Sequence, residues 1–246
     1  MRILGSDYDG TFNYGGIDED KRLAVKKWRE KGNVFTLVSG RRVDDLQRFA
    51  REHNFECDYF LAYNGAVIVD QNGETVSSVE CDGALAFPIA SALFDLGAIR
   101  VHVGWDDLFE ASSDTVTRDA CGHIVIENFP NVSFFTQISA ACTDRQSAEH
   151  ITNELRSRFG YAVNVLQNGT CIDIVHRDMN KAKGMYKLLD ILGGKYEDVI
   201  VVGDNVNDRD MIAEFYSYAM ENGVESIKAI AHHVTSNVTE LIFREI

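Results

Sequence analysis

The sequence predicts an α/β fold: a parallel-sheet core domain with crossover helices, interrupted by a separate α+β unit. Three observations carry this. Apolar, β-branched runs alternate with helical periodicities from the start to about residue 80. The same alternation returns after Asp178. Between the two, strands become half-polar and a hairpin signal appears, which marks antiparallel pairing.

Taken in order, residues 2–6 (RILGS) read as a short strand. From Asp18 to Lys31 the spacing predicts a helix, with acidic residues at its start, Leu23, Ala24 and Trp28 on one face, and Gly32 as its stop. "NVFTLVSG" is an apolar run that closes on polar and glycine residues, so a buried strand. Val43, Leu46, Phe49 and Ala50 recur at helical spacing. "YFLAYNG" and "AVIVD" are further strands, the second followed by a hairpin turn at Gln71-Asn72-Gly73-Glu74. In the middle, 85–96 is helical, 98–104 and 133–138 are strands, and Ala148, Ile151, Leu155 and Phe159 share a helix face. "YAVNVLQ-NG-TCIDIV" predicts a hairpin about Asn168-Gly169. Late in the chain, 184–192 is helical and "VIVVGD" is the central strand of a parallel sheet. Residues 207–215 follow as helix, "YSYAM" as strand and 224–231 as helix. The expected domains are 1–81 with 179–246, and 82–178 inserted between them.

The chain has 246 residues, 45% of them hydrophobic, enough for one large core or two modest ones. Its net charge of −14 repels nucleic acid and anionic membranes, so neither is an expected partner. A phosphorylated metabolite stays possible, because a local cation overrides the global field. The five cysteines are widely spaced with no C-x-x-C, which fits reduced thiols rather than disulfides or zinc. The opening is too acidic for a signal peptide, and no apolar run approaches ~18 residues, so a cytoplasmic protein is expected.

The chemistry concentrates at strand ends, where open α/β sheets carry their sites. Asp7 and Asp9 stand two apart after the first strand, and two such residues on an extended chain point the same way. Paired carboxylates repel and want a cation; hard oxygen ligands suit Mg²⁺. Gly10 allows close backbone approach, and Thr11 adds a hydroxyl. In "VVGDNVNDRDM", Asp204 also follows a buried strand, and a parallel sheet brings it beside Asp7 and Asp9. Asn207 and Asp208 stand where the next helix starts. Ser39 and Gly40 end the second strand and can donate to a phosphoryl oxygen. A lysine from "DMNKAKGM" adds a positive charge. Mg²⁺, lysine and serine would then surround a phosphoryl group, with an aspartate as nucleophile.

Asp7-Tyr8-Asp9-Gly10-Thr11 resembles the D-x-D-G-T signature of the haloacid dehalogenase-like hydrolase superfamily. "VSGR" (38–41), "NKAKG" and "GDNVND" resemble its second, third and fourth motifs, in order. "YNGA" (63–66) and Ala219, Met220 and Asn222 resemble its Cof-type branch. The resemblance implies a Rossmann-like core with an inserted α/β cap that closes over the substrate. It implies that Asp7 is the nucleophile, forming an aspartyl-phosphate, and that Asp9 is the general acid and then the base. Mg²⁺ would be held by the Asp7 carboxylate, the Asp9 backbone carbonyl and Asp204, with Asp208 nearby. Thr11 and Ser39 would contact phosphate, Lys181 would stabilise nucleophile and phosphoryl group, and Asn207 would contact phosphate or orient Asp204. Lys183 competes with Lys181; the apolar positions Met185, Leu188 and Leu192 favour Lys181. Tyr8 and Phe12 depart from the aliphatics usual beside the first motif, and the segment after "VTSN" lacks the customary acidic-glycine end.

Each feature also has a plainer explanation. Serine at a strand end commonly caps a helix, Asn64 before glycine is turn chemistry, and His232-His233 lack partners at ligand spacing and fit a surface. Trp28 fits the core. Trp105, Asp106 and Asp107 fit a surface loop or a substrate contact, as do Arg41 and Arg42 at a helix start. The motifs in order nevertheless imply a Mg²⁺-dependent phosphatase for a small phosphorylated metabolite, with sugar phosphate as the expected class. The alternatives are a phosphomutase, a receiver-like phospho-aspartate signalling module, and a binding module on an inactive scaffold. A general acid at Asp9 and an inserted cap argue against the receiver; the intact set Asp7, Asp9, Lys181 and Asp204 argues against the inactive scaffold. Neither oligomeric state nor the leaving group is legible.

Overall fold

A computed structural model describes every residue, Met1–Ile246. Internal contacts divide the chain into two units: Met1–Ser78 with Met179–Ile246, and Val79–Asp178.

The first unit is built on an eight-stranded sheet. Its order is His233–Thr235, Tyr216–Met220, Val199–Gly203, Ile3–Asp7, Val34–Val38, Tyr59–Ala62, Val67–Asp70 and Thr75–Ser78. The first six run parallel and the last two pairings are antiparallel. The α/β class expected from the alternation is therefore the fold observed. Ile3–Asp7, Val34–Val38 and Val199–Gly203 are buried along their whole lengths, which explains their unbroken apolar runs. The turn over 71–74 joins the antiparallel pair as expected, with Asp70 and Glu74 hydrogen-bonded across it.

Helix Glu19–Glu30 starts where the Asp18 side chain accepts from the Lys21 amide. Its buried face is Lys21, Ala24, Val25 and Trp28, not the expected Leu23, which is 42% exposed. The 3.6-residue period puts Lys21 and Val25 on the stripe of Trp28 and turns Leu23 outward. Trp28 is fully buried, as expected, and its indole donates to the Val34 carbonyl at 2.8 Å. The late helices are shorter than the periodicity suggested. Val206–Asp208 is a single 3₁₀ turn before Arg209–Glu214, and only Glu225–Lys228 of 224–231 is α-helical.

The C-terminal helix Val238–Glu245, unplaced by the sequence, is capped by the Asn237 side chain accepting from Glu240. Glu245 near its end accepts from Arg2 at 2.7 Å and from the Tyr218 hydroxyl. Burial opposes ionisation of Glu245, but Tyr218 and Arg2 together outweigh it and hold the carboxyl below the usual glutamate range. A lowered carboxyl contributes stability above its unfolded value and loses it as pH falls through the folded value. Glu245→Gln is therefore expected to lose about 1–2 kcal/mol in urea unfolding at neutral pH. The difference should close in acid; a constant difference across pH would remove the charge from this account.

The second unit carries a five-stranded antiparallel sheet, ordered Val163–Asn168, Cys171–His176, Gln137–Ala141, Arg100–Gly104 and Leu108–Ser112. Helices Ala86–Asp95 and Arg145–Phe159 contribute Ile89, Leu93, Ala148, Ile151 and Leu155 to its core. The hairpin is present, but Asn168 pairs with Cys171, so its turn residues are Gly169 and Thr170, one position later than expected. Gly169 takes the left-handed conformation that such a tight turn requires. The strand expected over 133–138 is split into Phe134–Phe135 and Gln137–Ala141. Trp105 is half-buried against this core, while Asp106 and Asp107 are exposed.

Candidate active site

Parallel register places the chemistry at one edge. Asp7 ends its strand opposite Val38, so Ser39 follows at the same level, and Asp204 follows Gly203 on the other side. Topology thus joins three segments that are remote in sequence. Lys181 arrives separately, as the first residue of helix Lys181–Leu192, which is capped by the Asn180 side chain.

The Lys181 ammonium donates to Asp7 Oδ1 at 2.6 Å and to Asp208 Oδ1 at 2.5 Å, and its side chain is only 1% exposed. Lys183 lies over the Tyr186 ring instead, so the structure brings Lys181 alone to the carboxylates. Asp208 accepts with its other oxygen from the backbone amides of Asp204 and Asn205, at 2.9 and 3.0 Å. This closes the 3₁₀ turn and aims Asp208 inward. Gly203 belongs to the same arrangement: a Cβ there would lie 2.6 Å from the Asp208 carboxyl carbon.

Asp7, Asp204 and Asp208 each offer one carboxylate oxygen, all within 4.8 Å of one another. Three carboxylates share one ammonium, so negative charge is in excess. Burial, followed by Asp208 and Asp204, drives the Asp7 carboxyl well above the usual aspartate range, with Lys181 opposing. Asp204 is raised for the same reasons, burial and then Asp208, while the Thr11 hydroxyl opposes. Burial disfavours charge on Lys181, but Asp208 and Asp7 overcome it and hold the ammonium above its ordinary value. Convergent hard oxygens with unbalanced negative charge fit a divalent cation. Such an ion would compete with protons at Asp7 and Asp204.

Asp9 lies outside that group of three. Asp7 ends its strand, and the chain turns within Tyr8–Phe12, where Gly10 takes φ +79°; the Asp7 carboxylate meets Lys181, whereas that of Asp9 meets Arg41. Arg41 grips Asp9 with two hydrogen bonds, Nε to Oδ2 at 2.5 Å and a terminal guanidinium nitrogen to Oδ1 at 2.8 Å. The guanidinium also rests over Tyr8 and Phe49, at 5.7 and 5.0 Å from the ring centroids. The Asn13 side chain donates to the same Asp9 Oδ1 at 3.4 Å and accepts the Gly10 amide at 3.0 Å. The sequence left Arg41 open between a substrate-anion contact and a helix-start surface residue, and Asn13 carried no signal. Tyr8 and Phe12 pack in the core behind the loop.

The Thr11 hydroxyl donates to Asp204 Oδ1 at 2.8 Å. Ser39 is buried, and its hydroxyl accepts the Arg41 amide. Asn64 is a buried turn residue at φ +55° whose amide donates to the Ser39 carbonyl. Asn207 is half-buried, and its Oδ1 makes no hydrogen bond within the protein. Asn222 holds the Gly10 carbonyl at 2.9 Å. His232 and His233 lie on the surface, bonded to Ser217 and Tyr216.

Gly10 makes a direct test of the loop. A Cβ there would stand 2.6 Å from an Asp204 oxygen, on a backbone of positive φ. Gly10→Ala is expected to lower stability by about 1–3 kcal/mol, read as a drop in melting temperature. An unchanged melting temperature would contradict this packing.

Comparison with known proteins gives a consistent result. A sequence model of the haloacid dehalogenase-like hydrolase family matches residues 4–241. The 5-amino-6-(5-phospho-D-ribitylamino)uracil phosphatase YwtE of Bacillus subtilis is 23% identical over an alignment 275 positions long, gaps included, covering 98% of this chain and 94% of its own. A solved haloacid dehalogenase-like hydrolase from B. subtilis superposes with a TM-score of 0.84 at 17% identity, covering 100% of both chains. The subclass IIB sugar phosphatase BT4131 superposes at 0.77 and 17%, covering 100% of this chain and 99% of its own. At such identities these structures establish likeness of fold.

Proposed function

The chain belongs to the haloacid dehalogenase-like hydrolase family and is an enzyme of the phosphatase class, and on that premise we propose that it hydrolyses a small phosphorylated metabolite, a sugar or sugar-alcohol phosphate, with Mg²⁺ as cofactor. The observation that carries the proposal is the buried contact of Lys181 with Asp7 and Asp208, beside Asp204. The three carboxylates would hold a divalent cation, and that cation together with the Lys181 ammonium would supply the positive charge a dianionic phosphate needs. The name of YwtE, a phosphoribityl substrate, supports an ester on a polyhydroxylated chain.

In this mechanism an Asp7 oxygen attacks phosphorus, and the ester oxygen leaves with a proton from Asp9, whose carboxyl must part from Arg41 and enter this step protonated. Water then attacks the aspartyl-phosphate, giving a proton to Asp9 and releasing inorganic phosphate. Lys181 keeps Asp7 oriented and offsets charge on the phosphoryl oxygens. Thr11, Ser39 and Asn207 hold the phosphate, and Thr11 also fixes Asp204. Asp7, Asp204, the Asp9 backbone carbonyl and nearby Asp208 would hold Mg²⁺, which would supply charge neutralisation at the transferring group. The unit Val79–Asp178 is assigned the choice of leaving group. Nucleic acid and membranes are not partners in this proposal, consistent with the net charge of −14; no helix is long and apolar enough to cross a membrane.

The test is release of inorganic phosphate from a chromogenic phosphate ester, followed by a panel of phosphorylated sugars and sugar alcohols. Release should require Mg²⁺ and stop with EDTA. Stable phosphorylation without turnover would instead indicate a receiver-like switch.

A further inference from the structure

Lys21 is a buried ammonium that the proposed chemistry does not use. It is 4% exposed, on the inner face of helix Glu19–Glu30. No carboxylate forms an ion pair with it. Instead Nζ donates to three backbone carbonyls, those of Phe12 at 2.7 Å, Tyr14 at 3.0 Å and Gly16 at 2.6 Å. The Phe12 ring lies 5.6 Å from the same nitrogen. A buried charge without a counter-ion is normally expensive. Here the three carbonyl dipoles replace its hydration shell, as rings of carbonyls do for monovalent cations.

The loop is shaped for this. Three other carbonyls are used within it, Tyr8 accepting from Asn13, Thr11 from Tyr14 and Asn13 from Gly16, while Gly10 accepts from Asn222. Those of Phe12, Tyr14 and Gly16 converge on Nζ. Gly15 and Gly16, at φ +73° and +86°, let the chain fold back. Without a cation, the converging carbonyl oxygens of Phe12, Tyr14 and Gly16 would lose the donor they share. Burial pulls the lysine below its ordinary pKa, and Asp18 opposes from beyond contact distance.

The same loop carries Asn13, whose side chain accepts the Gly10 amide and reaches Asp9. We propose that Lys21 is a tethered cation: its ammonium fills a three-carbonyl site of the kind that takes K⁺ or NH₄⁺, and thereby positions Asn13 and Asp9. Lys21 is a positioning residue and touches no reacting atom. Its effect on turnover rests on the phosphatase proposal; its filling of the cation site does not.

The experiment compares the parent, Lys21→Ala and Lys21→Met in choline, lithium, potassium and ammonium chlorides at equal ionic strength. Melting temperature and phosphate release are both read. The parent should be indifferent to the cation. Lys21→Ala should melt lower in choline and lose about ten- to a hundredfold in turnover through misplacement of Asp9. Ammonium or potassium, but not lithium, should restore both. Lys21→Met, with its apolar tip in the site, should melt lower in every salt. Parental melting and turnover of Lys21→Met, or a loss in Lys21→Ala that no cation restores, would overturn the proposal. If Lys21→Ala does not stay folded in choline, refolding yields in ammonium and choline decide; equal yields overturn it. Should the parent lack phosphatase activity, the phosphatase proposal fails and the melting shifts still decide the cation site.

Discussion

Asp7→Asn is expected to reduce phosphate release by at least about a thousandfold while leaving the chain folded. Asparagine keeps the shape of the side chain, and its oxygen can still accept from Lys181, which retains Asp208 as a second partner. The substitution therefore removes a nucleophile without vacating its place. It also relieves crowding, because one of three clustered carboxylates loses its charge. Melting temperature should hold or rise, a separation that simple damage to the fold would not produce. Steady-state phosphate release, together with thermal unfolding, checks both parts. Turnover within about tenfold of the parent, a difference of about 1.4 kcal/mol in barrier, would take the nucleophilic role from Asp7.

Lys181→Met is expected to lose both stability and activity. Lys181 is the ammonium in contact with Asp7 and Asp208, and all three side chains are buried. Breaking a buried ion pair from one side typically costs about 3–5 kcal/mol, because the remaining charge is stranded. The pH dependence has a definite sign. Burial, with neighbouring carboxylates, raises the Asp7 carboxyl in the folded state, and Asp204 likewise. A raised carboxyl contributes its stability below the unfolded value and loses it as pH rises through the folded value. The variant should thus lie closest to the parent in acid and furthest from it at neutral pH, measured by urea unfolding without metal. Added Mg²⁺ should recover part of the loss, because a ligand bound only by the folded state stabilises it. A variant that unfolds like the parent at neutral pH, and ignores Mg²⁺, would refute this account of the cluster.

The strands and the strand-end positions were legible because they are local. A run such as "VIVVG" can be buried on both faces only in a sheet covered on both sides, and the loop after it must carry the polar groups. Hence Asp7, Ser39 and Asp204 could be placed at one edge from the alternation alone. Leu23 shows the limit even for local patterns, since an apolar residue near the right spacing can still fall off the buried stripe. The hairpin turn at Gly169-Thr170 shows it again, because a shift of one residue changes the turn without changing the signal.

By itself, the sequence determined the α/β class and the family, together with the edge where the acidic residues gather. Tertiary structure decided which polar groups meet. Lys181 and Lys183 share one helix turn, yet only Lys181 reaches Asp7, 174 positions away. Asp7 and Asp9 were expected to reach one ligand together, and the fold instead groups the Asp7 carboxylate with Asp204 and Asp208 and pairs that of Asp9 with Arg41. Lys21 carried no visible signal, because its partners are backbone carbonyls that any sequence possesses. Apolar periodicity is a property of neighbouring residues and is written along the chain. The partner of a buried charge is fixed by strand register and loop path, which exist only once distant segments have packed.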